Sequence, residues 1–351
     1  MKKWPSINQF RNVIRHVQQQ TRYVGKGENG EAVFDHSKPL PTLRFLGTTK
    51  LHGTNAAVSY DTLTKKITYQ SRERVLTLEQ DNAGFMLAQK KHEDLWRELF
   101  EACPDYPTNI TYYGEWCGRG IQKGVAVSEL DKMFVIFGYR EDYDDGTHRY
   151  FRYHSEDEDY SEFAEEIKIP GVYDIDTVGP TYTVDIDFNY PELAQQKMID
   201  LTLEVERECP VGKHFGVSGV GEGIVWACWE PGWSGDTGTW LKSKGSAHST
   251  SKVKTLAPVD VEAVENTRQF VESVVTEARL EWALSNLITE QLLSVEMSNM
   301  GAFIRTVIAD VMKEESDIIV ANGLDIKKIN SAISNKARPW FIQKVNEGVG
   351  L

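Results

Sequence analysis

The chain has 351 residues, more than one compact domain usually holds, and a formal net charge of −13. Apolar residues make up 40% and aromatic residues 11%, enough for a sizeable core, and no apolar run approaches the roughly 20 residues of a membrane span. The acidic balance argues against a protein that coats nucleic acid nonspecifically, although it is compatible with a locally basic groove.

The first residues run directly into an amphipathic pattern. They lack the apolar run and cleavage site of a secretory signal, so we expect a cytoplasmic protein. The four cysteines are dispersed without a C-x-x-C pair, which indicates neither a zinc site nor a disulfide framework. Ser6 is predicted to cap a first helix that packs on the main domain. The apolar residues on one face of this helix are Ile7, Phe10, Val13, Ile14 and Val17.

Alternating apolar residues predict several strands in the first half of the chain. Lys50 stands just before one of them. The predicted elements are strands over 55–60 and 66–70 around a turn at 61–65, a helix over 81–101, and strands over 110–113 and 133–139.

Acidic residues greatly outnumber basic ones between Glu141 and Glu166. This stretch has no clear periodicity, with some hairpin character at Asp145-Gly146, and we interpret it as a solvated surface loop in preference to a functional acidic tail. A helix over 191–209 and strands over 216–229 and 239–244 follow, so the main domain is predicted to be mixed α+β.

Beyond Pro258 the strand patterns almost vanish and apolar residues recur every three or four positions. The sequence therefore predicts a main domain over 1–256 and a small all-α domain over 257–351. Two helix faces are predicted in the second, and Gly323 suits a helix C-cap followed by shorter helices over 326–333 and 339–345. The faces are Val261, Val264, Val271, Val274, Val275 and Ala278, and Phe303, Ile304, Val307, Ile308, Val311 and Met312.

Lys50 opens the segment Lys50-Leu51-His52-Gly53-Thr54-Asn55. A lysine attacks phosphorus only as a free amine, so a nucleophilic lysine needs burial or nearby cations to lower its pKa from about 10.4. Lys242 and Lys244 can supply those cations, or can bind phosphate oxygens, if the fold brings them back beside Lys50. Gly53 would let the backbone pass close to a nucleotide, and Asn55 can contact its phosphate or ribose.

Three further residues carry groups that a nucleotide site needs. Glu115, near the end of a predicted strand, can accept hydrogen bonds from ribose hydroxyls, although a surface glutamate beside a turn is the simpler interpretation. Phe137 offers a ring face to a purine, although a strand phenylalanine is more often part of the core. Glu222 lies between Gly221 and Gly223 and has the oxygen ligands that Mg²⁺ prefers, directly or through water.

In this order and spacing the set resembles the covalent nucleotidyltransferase superfamily of ATP-dependent ligases and capping enzymes. Over essentially the whole chain it is most similar to the RNA ligase 2 family. The resemblance assigns Lys50 to Asn55, including His52 and Gly53, to the nucleophile motif; Arg72 to the arginine motif; Glu115 to the ribose; Phe137 to adenine stacking; Glu222 to the metal; and Lys242 and Lys244 to the phosphates.

The resemblance implies a nucleotidyltransferase (adenylation) domain of antiparallel sheets and helices, followed by the all-α domain. It also implies an ATP-dependent RNA ligase, with Lys50, Lys242 and Lys244 as catalytic residues. ATP would be used as covalent AMP, with Mg²⁺ or Mn²⁺. The partner would be RNA with 3′-hydroxyl and 5′-phosphate ends, expected in a nicked duplex, and the protein a monomer with no membrane partner. Arg72 and the basic run from Lys242 to Lys254 are candidates for the RNA phosphate path.

Some alternatives stay open from the sequence. Gly138 stands where the family usually has aspartate after its stacking phenylalanine, so either Phe134 or Phe137 can be the stacking residue. The helical tail is either a packing or dimerisation module or, as the resemblance implies, an RNA clamp. It favours RNA sealing over a GTP-dependent mRNA capping guanylyltransferase, which typically carries a strand-rich domain there. A noncatalytic RNA-binding protein with the same fold is the other rival.

Overall fold

The computed structural model describes residues 1–102, 107–152, 167–245 and 267–348. The chain divides into two compact units, Met1–Gly245 and Ser246–Leu351. Several sequence expectations lie outside the described residues: the domain boundary at 256, the change of character at Pro258, most of the acidic stretch, and Lys252, Lys254, Val261 and Val264. In the described part of the chain, no helix is long and apolar enough to cross a membrane.

The first unit is mixed α+β, as the sequence predicts. Its helices and strands are, in chain order, α1 (Phe10–Arg22), β1 (Tyr23–Lys26), β2 (Ala32–Phe34), β3 (Thr42–Lys50), β4 (Thr54–Asp61), β5 (Lys66–Ser71), α2 (Phe85–Lys90), α3 (Glu93–Glu101), β6 (Asn109–Cys117), β7 (Met133–Asp142), β8 (His148–Phe151), β9 (Val172–Asp174), α4 (Ile175–Val178), β10 (Thr181–Asp187), α5 (Glu192–Arg207), α6 (Pro210–His214), β11 (Gly223–Cys228) and β12 (Leu241–Lys244). Short 3₁₀ turns cover Ala126–Glu129 and Thr237–Thr239.

A four-stranded antiparallel sheet, the small sheet, has the order β10-β3-β11-β12. Gly223 pairs with Lys50 on one side and with Lys244 on the other. The register therefore brings the end of β3, the start of β11 and the end of β12 to one edge of the sheet.

A six-stranded sheet, the large sheet, has the order β5-β4-β6-β7-β8, with β9 parallel to β7. Asn55 pairs with Glu115 across β4 and β6. One face packs against α2 and α3 around buried aromatic rings, and the opposite face carries Leu51 and Val135 in a second buried cluster. The aromatic rings of the first face include Phe85, Trp96, Phe100 and Phe134.

The first helix starts at Phe10, so the prediction of an N-cap at Ser6 is wrong. The residues before it pair with β12 instead: Asn8 N–H donates to Trp240 O at 2.9 Å and Lys242 N–H donates to Asn8 O at 3.0 Å. This long-range pairing holds the chain extended up to the helix. The predicted packing on the main domain is confirmed, because Phe10 and Val13 are fully buried.

The predicted helix over 81–101 is two helices, α2 and α3. The Asp81 carboxylate accepts hydrogen bonds from the backbone N–H of Met86 and Leu87, at 2.8 and 3.0 Å, and so caps α2. His92 then leaves the helical region with φ −120° and ψ 29°, which separates the two helices.

The described part of the second unit is helical, as predicted. Its helices are α7 (Thr267–Val274), α8 (Glu277–Thr289), α9 (Met300–Glu314), α10 (Ser316–Ala321) and α11 (Ile326–Asn346). They enclose one apolar core that includes Phe303, Val307 and Phe341. Within it the fully buried Arg279 is neutralised by Asp310 at 2.8 Å and Glu315 at 3.2 Å.

Gly323 ends α10 as predicted, with φ +58° and a hydrogen bond from Leu324 N–H to Ile319 O at 3.0 Å. The two short helices expected after it are one helix, because α11 continues through Pro339. The buried residues of α11 keep helical spacing across the proline, so core packing outweighs the loss of one backbone hydrogen bond. Those residues are Ile329, Ile333, Ala337 and Phe341.

Candidate active site

The centre of the site is the Glu222 carboxylate, which is 3% exposed and bound by two lysines. Lys50 Nζ lies 2.8 Å from Glu222 Oε2, and Lys244 Nζ lies 2.8 Å from Glu222 Oε1. Both lysine side chains keep about a fifth of their surface exposed, at 20% and 19%. The fold therefore brings two of the sequence-predicted lysines to the carboxylate of a third predicted site residue.

The strand register explains this gathering. Gly223 lies between Lys50 and Lys244, and Glu222 immediately precedes it. Gly223 has φ +150°, and a Cβ there would lie 2.1 Å from the Ser243 carbonyl oxygen. Glycine is therefore required at the position that presents Glu222 to both lysines.

Burial alone would raise the pKa of Glu222, but the attraction of Lys244 and Lys50 and the hydrogen bond from His52 outweigh it. The pKa of this carboxyl therefore lies well below its ordinary value, and Glu222 is ionised at neutral pH. His52 Nδ1 lies 3.3 Å from Glu222 Oε2, beside the contact made by Lys50.

The backbone after Lys50 is fixed by the large sheet. Gly53 N–H donates to Glu115 Oε1 at 2.9 Å, and Gln122 Nε2 donates to Gly53 O at 3.3 Å. A Cβ on Gly53 would lie 2.3 Å from the Trp116 carbonyl oxygen, so the close approach needs glycine. The pKa of Glu115 is raised, mainly by burial; Lys50 lowers it and Glu222 raises it further. Glu115 therefore interacts electrostatically with the residues around Glu222.

The structure separates the two phenylalanines that the sequence leaves open. Phe134 is fully buried and packs on Phe85, with ring centroids 4.9 Å apart, on the helix-covered face of the large sheet. Phe137 is partly exposed and packs with the cluster on the opposite face, which includes Leu51. Phe137 is thus the one that shares a face with the residue after Lys50.

The remaining predicted residues lie at different distances from this centre. Lys242 precedes Lys244 by two residues on β12 and is on the same face of the small sheet. Asn55 follows on β4, opposite Glu115. Arg72 is 48% exposed, with its Nε 3.9 Å from Glu73, and no described contact joins it to the Glu222 cluster.

Sequence reasoning did not identify Arg152, a 9% exposed residue just after β8. Its Nη2 donates to Thr48 Oγ1 at 3.3 Å, and its guanidinium lies 5.7 Å from the centroid of Phe137. Asp174 and Asp176 were also missed, each with a buried Oδ2 that has no hydrogen-bond partner among the described residues. No local motif marks these residues, and only the fold brings Arg152 to Thr48 and Phe137.

A divalent cation fits the site with Glu222 as its protein ligand and substrate phosphates as further ligands. Among the described residues no group of three or more histidine, cysteine or acidic side chains can hold a metal ion. Glu222 nevertheless supplies an ionised, buried carboxylate. Mg²⁺ is usually held by one or two carboxylates together with substrate phosphates, and this donor set matches that mode.

One family model and several solved structures are similar to this chain. The RNA ligase family model matches residues 43–244, more than half of the chain. A search of curated proteins gives no match. A solved structure of Naegleria gruberi RNA ligase with PPi is 16% identical with a TM-score of 0.44, and a variant of that enzyme with ATP and Mn is 14% identical with a TM-score of 0.44. The alignments cover 70% of this chain and 56% and 57% of those chains, so this chain spans just over half their length.

The chain belongs to the RNA ligase family.

Proposed function

We propose that this protein is an ATP-dependent RNA ligase that joins 3′-hydroxyl and 5′-phosphate RNA ends through lysyl-AMP and RNA-adenylate intermediates. The observation that carries the proposal is the convergence of Lys50, Lys244 and Glu222 at one sheet edge, with Glu115 on the backbone of Gly53. The family match supports the same class of reaction.

In the first step the Lys50 amine attacks the α-phosphorus of ATP after giving up a proton to solvent. A P–N bond forms, the bond between the α-phosphorus and the bridging oxygen breaks, and pyrophosphate leaves. Lys244 and Lys242 lie on the face from which they can neutralise charge on the phosphate oxygens in the transition state. Glu115 accepts from the ribose hydroxyls and, through Gly53 N–H, fixes the loop that follows the nucleophile.

Glu222 is the residue that would hold a divalent cation, which supplies charge neutralisation at the nucleotide phosphates. A cation held by Glu222 would compete with Lys50 and Lys244, which bind its two carboxylate oxygens in the free protein. The nucleotide phosphates would then give both lysines a new anionic partner.

In the second step a 5′-phosphate oxygen of RNA attacks the lysyl-AMP phosphorus, forming a P–O–P bond and releasing the Lys50 amine. In the third step an RNA 3′-hydroxyl attacks the activated 5′-phosphorus, forming the phosphodiester and expelling AMP. The energy comes from the ATP anhydride, and the protein contributes in-line positioning and charge stabilisation.

The RNA path is proposed to run over the basic residues outside the nucleotide cleft. The Arg72 side chain is exposed enough to bind an RNA phosphate. It lies just after β5, on the segment that leads to Asp81. The other candidates from the sequence, Lys252 and Lys254, lie outside the described residues. Because phosphate contacts release counterions, RNA affinity should fall as salt rises, and a salt-insensitive affinity would contradict the path.

Incubation with α-³²P ATP or α-³²P GTP tests the nucleotide and separates the rivals. We expect covalent label from ATP that is lost in Lys50→Ala. Label from GTP alone would indicate a capping guanylyltransferase, and no label from either nucleotide would favour a noncatalytic RNA-binding protein. Sealing of matched nicked duplexes that differ in which strands are RNA then identifies the strand composition that the protein prefers.

A further inference from the structure

The segment before the first helix links the two sheets of the first unit. Near its beginning, the Lys2 carbonyl oxygen accepts a hydrogen bond from the Tyr113 hydroxyl of β6 at 2.8 Å. The Lys3 carbonyl oxygen accepts one from the Tyr150 hydroxyl of β8 at 3.1 Å. Near its end, Asn8 pairs with the start of β12. The segment is therefore bound to the large sheet at its beginning and to the small sheet at its end.

Trp4 lies in the middle of this segment and packs among aromatic rings from both sheets. Its ring centroid lies 5.4 Å from that of Phe137 on β7 and 4.9 Å from that of Trp240, which directly precedes β12. On the large sheet it also lies 4.7 Å from the Tyr113 ring and 5.6 Å from the Tyr150 ring. Trp4 therefore bridges the two sheets beside Phe137.

The ring of Phe137 needs a neighbour of this kind. Tyr113 is opposite Gly138 in the pairing of β6 with β7, whereas Gly114, the next residue of β6, is opposite Ile136. Phe137 is therefore the extra residue of a β-bulge. Because a bulged residue has no partner directly across the ladder, the direction of its side chain is set by packing and not by strand pairing. The tryptophan of the N-terminal segment supplies a ring for this packing.

The residue after Phe137 leaves room for Trp4. A Cβ on Gly138 would lie 2.5 Å from Trp4 Cη2 and 2.5 Å from the Phe151 carbonyl oxygen, so no larger residue fits while the tryptophan is in place. Gly138 does not have a positive φ, so the lack of space, and not the backbone conformation, requires glycine here. Trp4, Gly138 and Phe137 thus form one packed unit.

The same segment fixes the backbone of a lysine that is proposed to bind phosphate. Lys242 N–H donates to Asn8 O at 3.0 Å, on the small sheet. Asn8 follows Trp4 by four residues, a stretch that spans at most about 14 Å. The segment therefore joins the ring of Phe137 to the backbone of Lys242 by a short connection, and these two residues are the ones proposed to bind the base and the phosphates of one nucleotide.

We propose that Trp4 is a positioning residue for the adenylylation reaction. It holds the bulged ring of Phe137 in one orientation and, through Asn8, keeps that ring at a fixed distance from Lys242. The assignment rests on the proposed function, and Trp4 acts through Phe137 without a contact of its own to the nucleotide. Without the tryptophan, the Phe137 ring has several orientations, and fixing it when ATP binds costs conformational entropy. The chemistry at Lys50 is unaffected once ATP is bound.

The test measures the rate of covalent labelling of the full-length protein against ATP concentration, which gives a half-saturating concentration and a maximal rate. In Trp4→Ala we expect the half-saturating concentration to rise about fivefold or more, with little change in the maximal rate of the folded protein. A merely structural role would lower the folded fraction and leave the half-saturating concentration unchanged. Trp4→Phe keeps a ring over Gly138 and should restore a value close to that of the wild type. Tyr23→Ala is the matched control, because it removes an aromatic ring near the same end of the chain that packs on Phe34, and it should change neither quantity.

A double-mutant cycle identifies the residue through which Trp4 acts. In a Phe137→Ala background, adding Trp4→Ala should raise the half-saturating concentration by less than about twofold, because the ring to be positioned is already gone. If Trp4→Ala does not fold, Trp4→Leu takes its place in the cycle under the same criteria. An unchanged half-saturating concentration in the folded single variant, or equal increases in the two backgrounds, would overturn the assignment. Absence of any label from ATP in the wild type would instead remove the proposed function itself.

Discussion

Lys50 Nζ lies 2.8 Å from Glu222 Oε2 although 172 positions separate the two residues in the chain. The pairing of β3 with β11 produces this contact, because Lys50 ends one strand and Glu222 precedes the other. A buried carboxylate that neutralises two lysines makes a structural contribution as well as a proposed catalytic one, and the two contributions can be measured separately.

Glu222→Gln keeps the shape of the side chain and removes its charge. Lys50 and Lys244 then lose their shared anion, and we expect the free energy of unfolding to fall by about 2 kcal/mol or more at pH 7, measured by urea denaturation. Glu208→Gln is the control, since it removes an exposed ion pair with Lys213 and should cost much less. Equal effects of the two substitutions would contradict a stabilising role for the Glu222 cluster.

The pH dependence of this difference follows from the lowered pKa of Glu222. The unfolded chain binds a proton near the ordinary value of 4.5, whereas the folded protein keeps Glu222 ionised to well below it. The contribution of the ion pairs is therefore complete above about pH 5 and is lost as the pH falls through the folded-state pKa. We expect the stability difference between wild type and Glu222→Gln to be constant from pH 6 to 7 and to narrow below 4.5. A stability difference that stays constant down to the lowest pH at which the protein is folded would contradict the lowered pKa of Glu222.

Phe137→Ala should mainly weaken ATP binding, whereas Phe134→Ala should mainly lower the stability of the fold. Loss of the Phe137 ring should weaken ATP binding about tenfold or more, the magnitude expected for one stacked base, in a fluorescence or calorimetric titration. Loss of the fully buried Phe134 should cost about 3 to 5 kcal/mol of stability, measured by denaturation. Unchanged ATP affinity in a folded Phe137→Ala protein would exclude this residue from the base site.

Burial raises the pKa of Asp176 to about 6, above the ordinary value of 3.8. A carboxyl with a raised folded-state pKa contributes most stability below the unfolded pKa and loses it as the pH rises through the folded one. Relative to wild type, Asp176→Asn should therefore gain up to about 3 kcal/mol between pH 4 and pH 7. Asp144→Asn, at an exposed position, should show no such trend in parallel urea titrations. A flat difference for Asp176→Asn would refute the raised pKa.

Local patterns in the sequence predicted much of the sheet framework. The alternation around residues 54 to 71 matches β4 and β5, and the helical spacing of Phe303 and Val307 matches the buried face of α9. The resemblance to the RNA ligase 2 family implied that Lys50, Glu222 and Lys244 belong to one site, but no local pattern predicted how the fold would bring them together. The structure supplies the register that brings them to one carboxylate.

The errors arose where distant parts of the chain override local preference. Ser6 is a good cap residue, but the pairing of Asn8 with β12 delays the helix to Phe10. Pro339 suggested a break, yet the buried face of α11 continues across it. Arg152 lies within the acidic stretch and has no recognisable motif around it, and its position beside Thr48 and Phe137 depends on contacts between distant parts of the chain.

The most direct test of the central claim is to incubate the protein with ATP and a divalent cation, digest it, and locate the adenylate by mass spectrometry. Lys50→Arg is the sharpest control, since it keeps a cation beside Glu222 but removes the amine that can become a nucleophile. We predict AMP on the peptide that contains Lys50 in the wild type, and none in Lys50→Arg. An adduct on another residue, or one that persists in Lys50→Arg, would contradict the account.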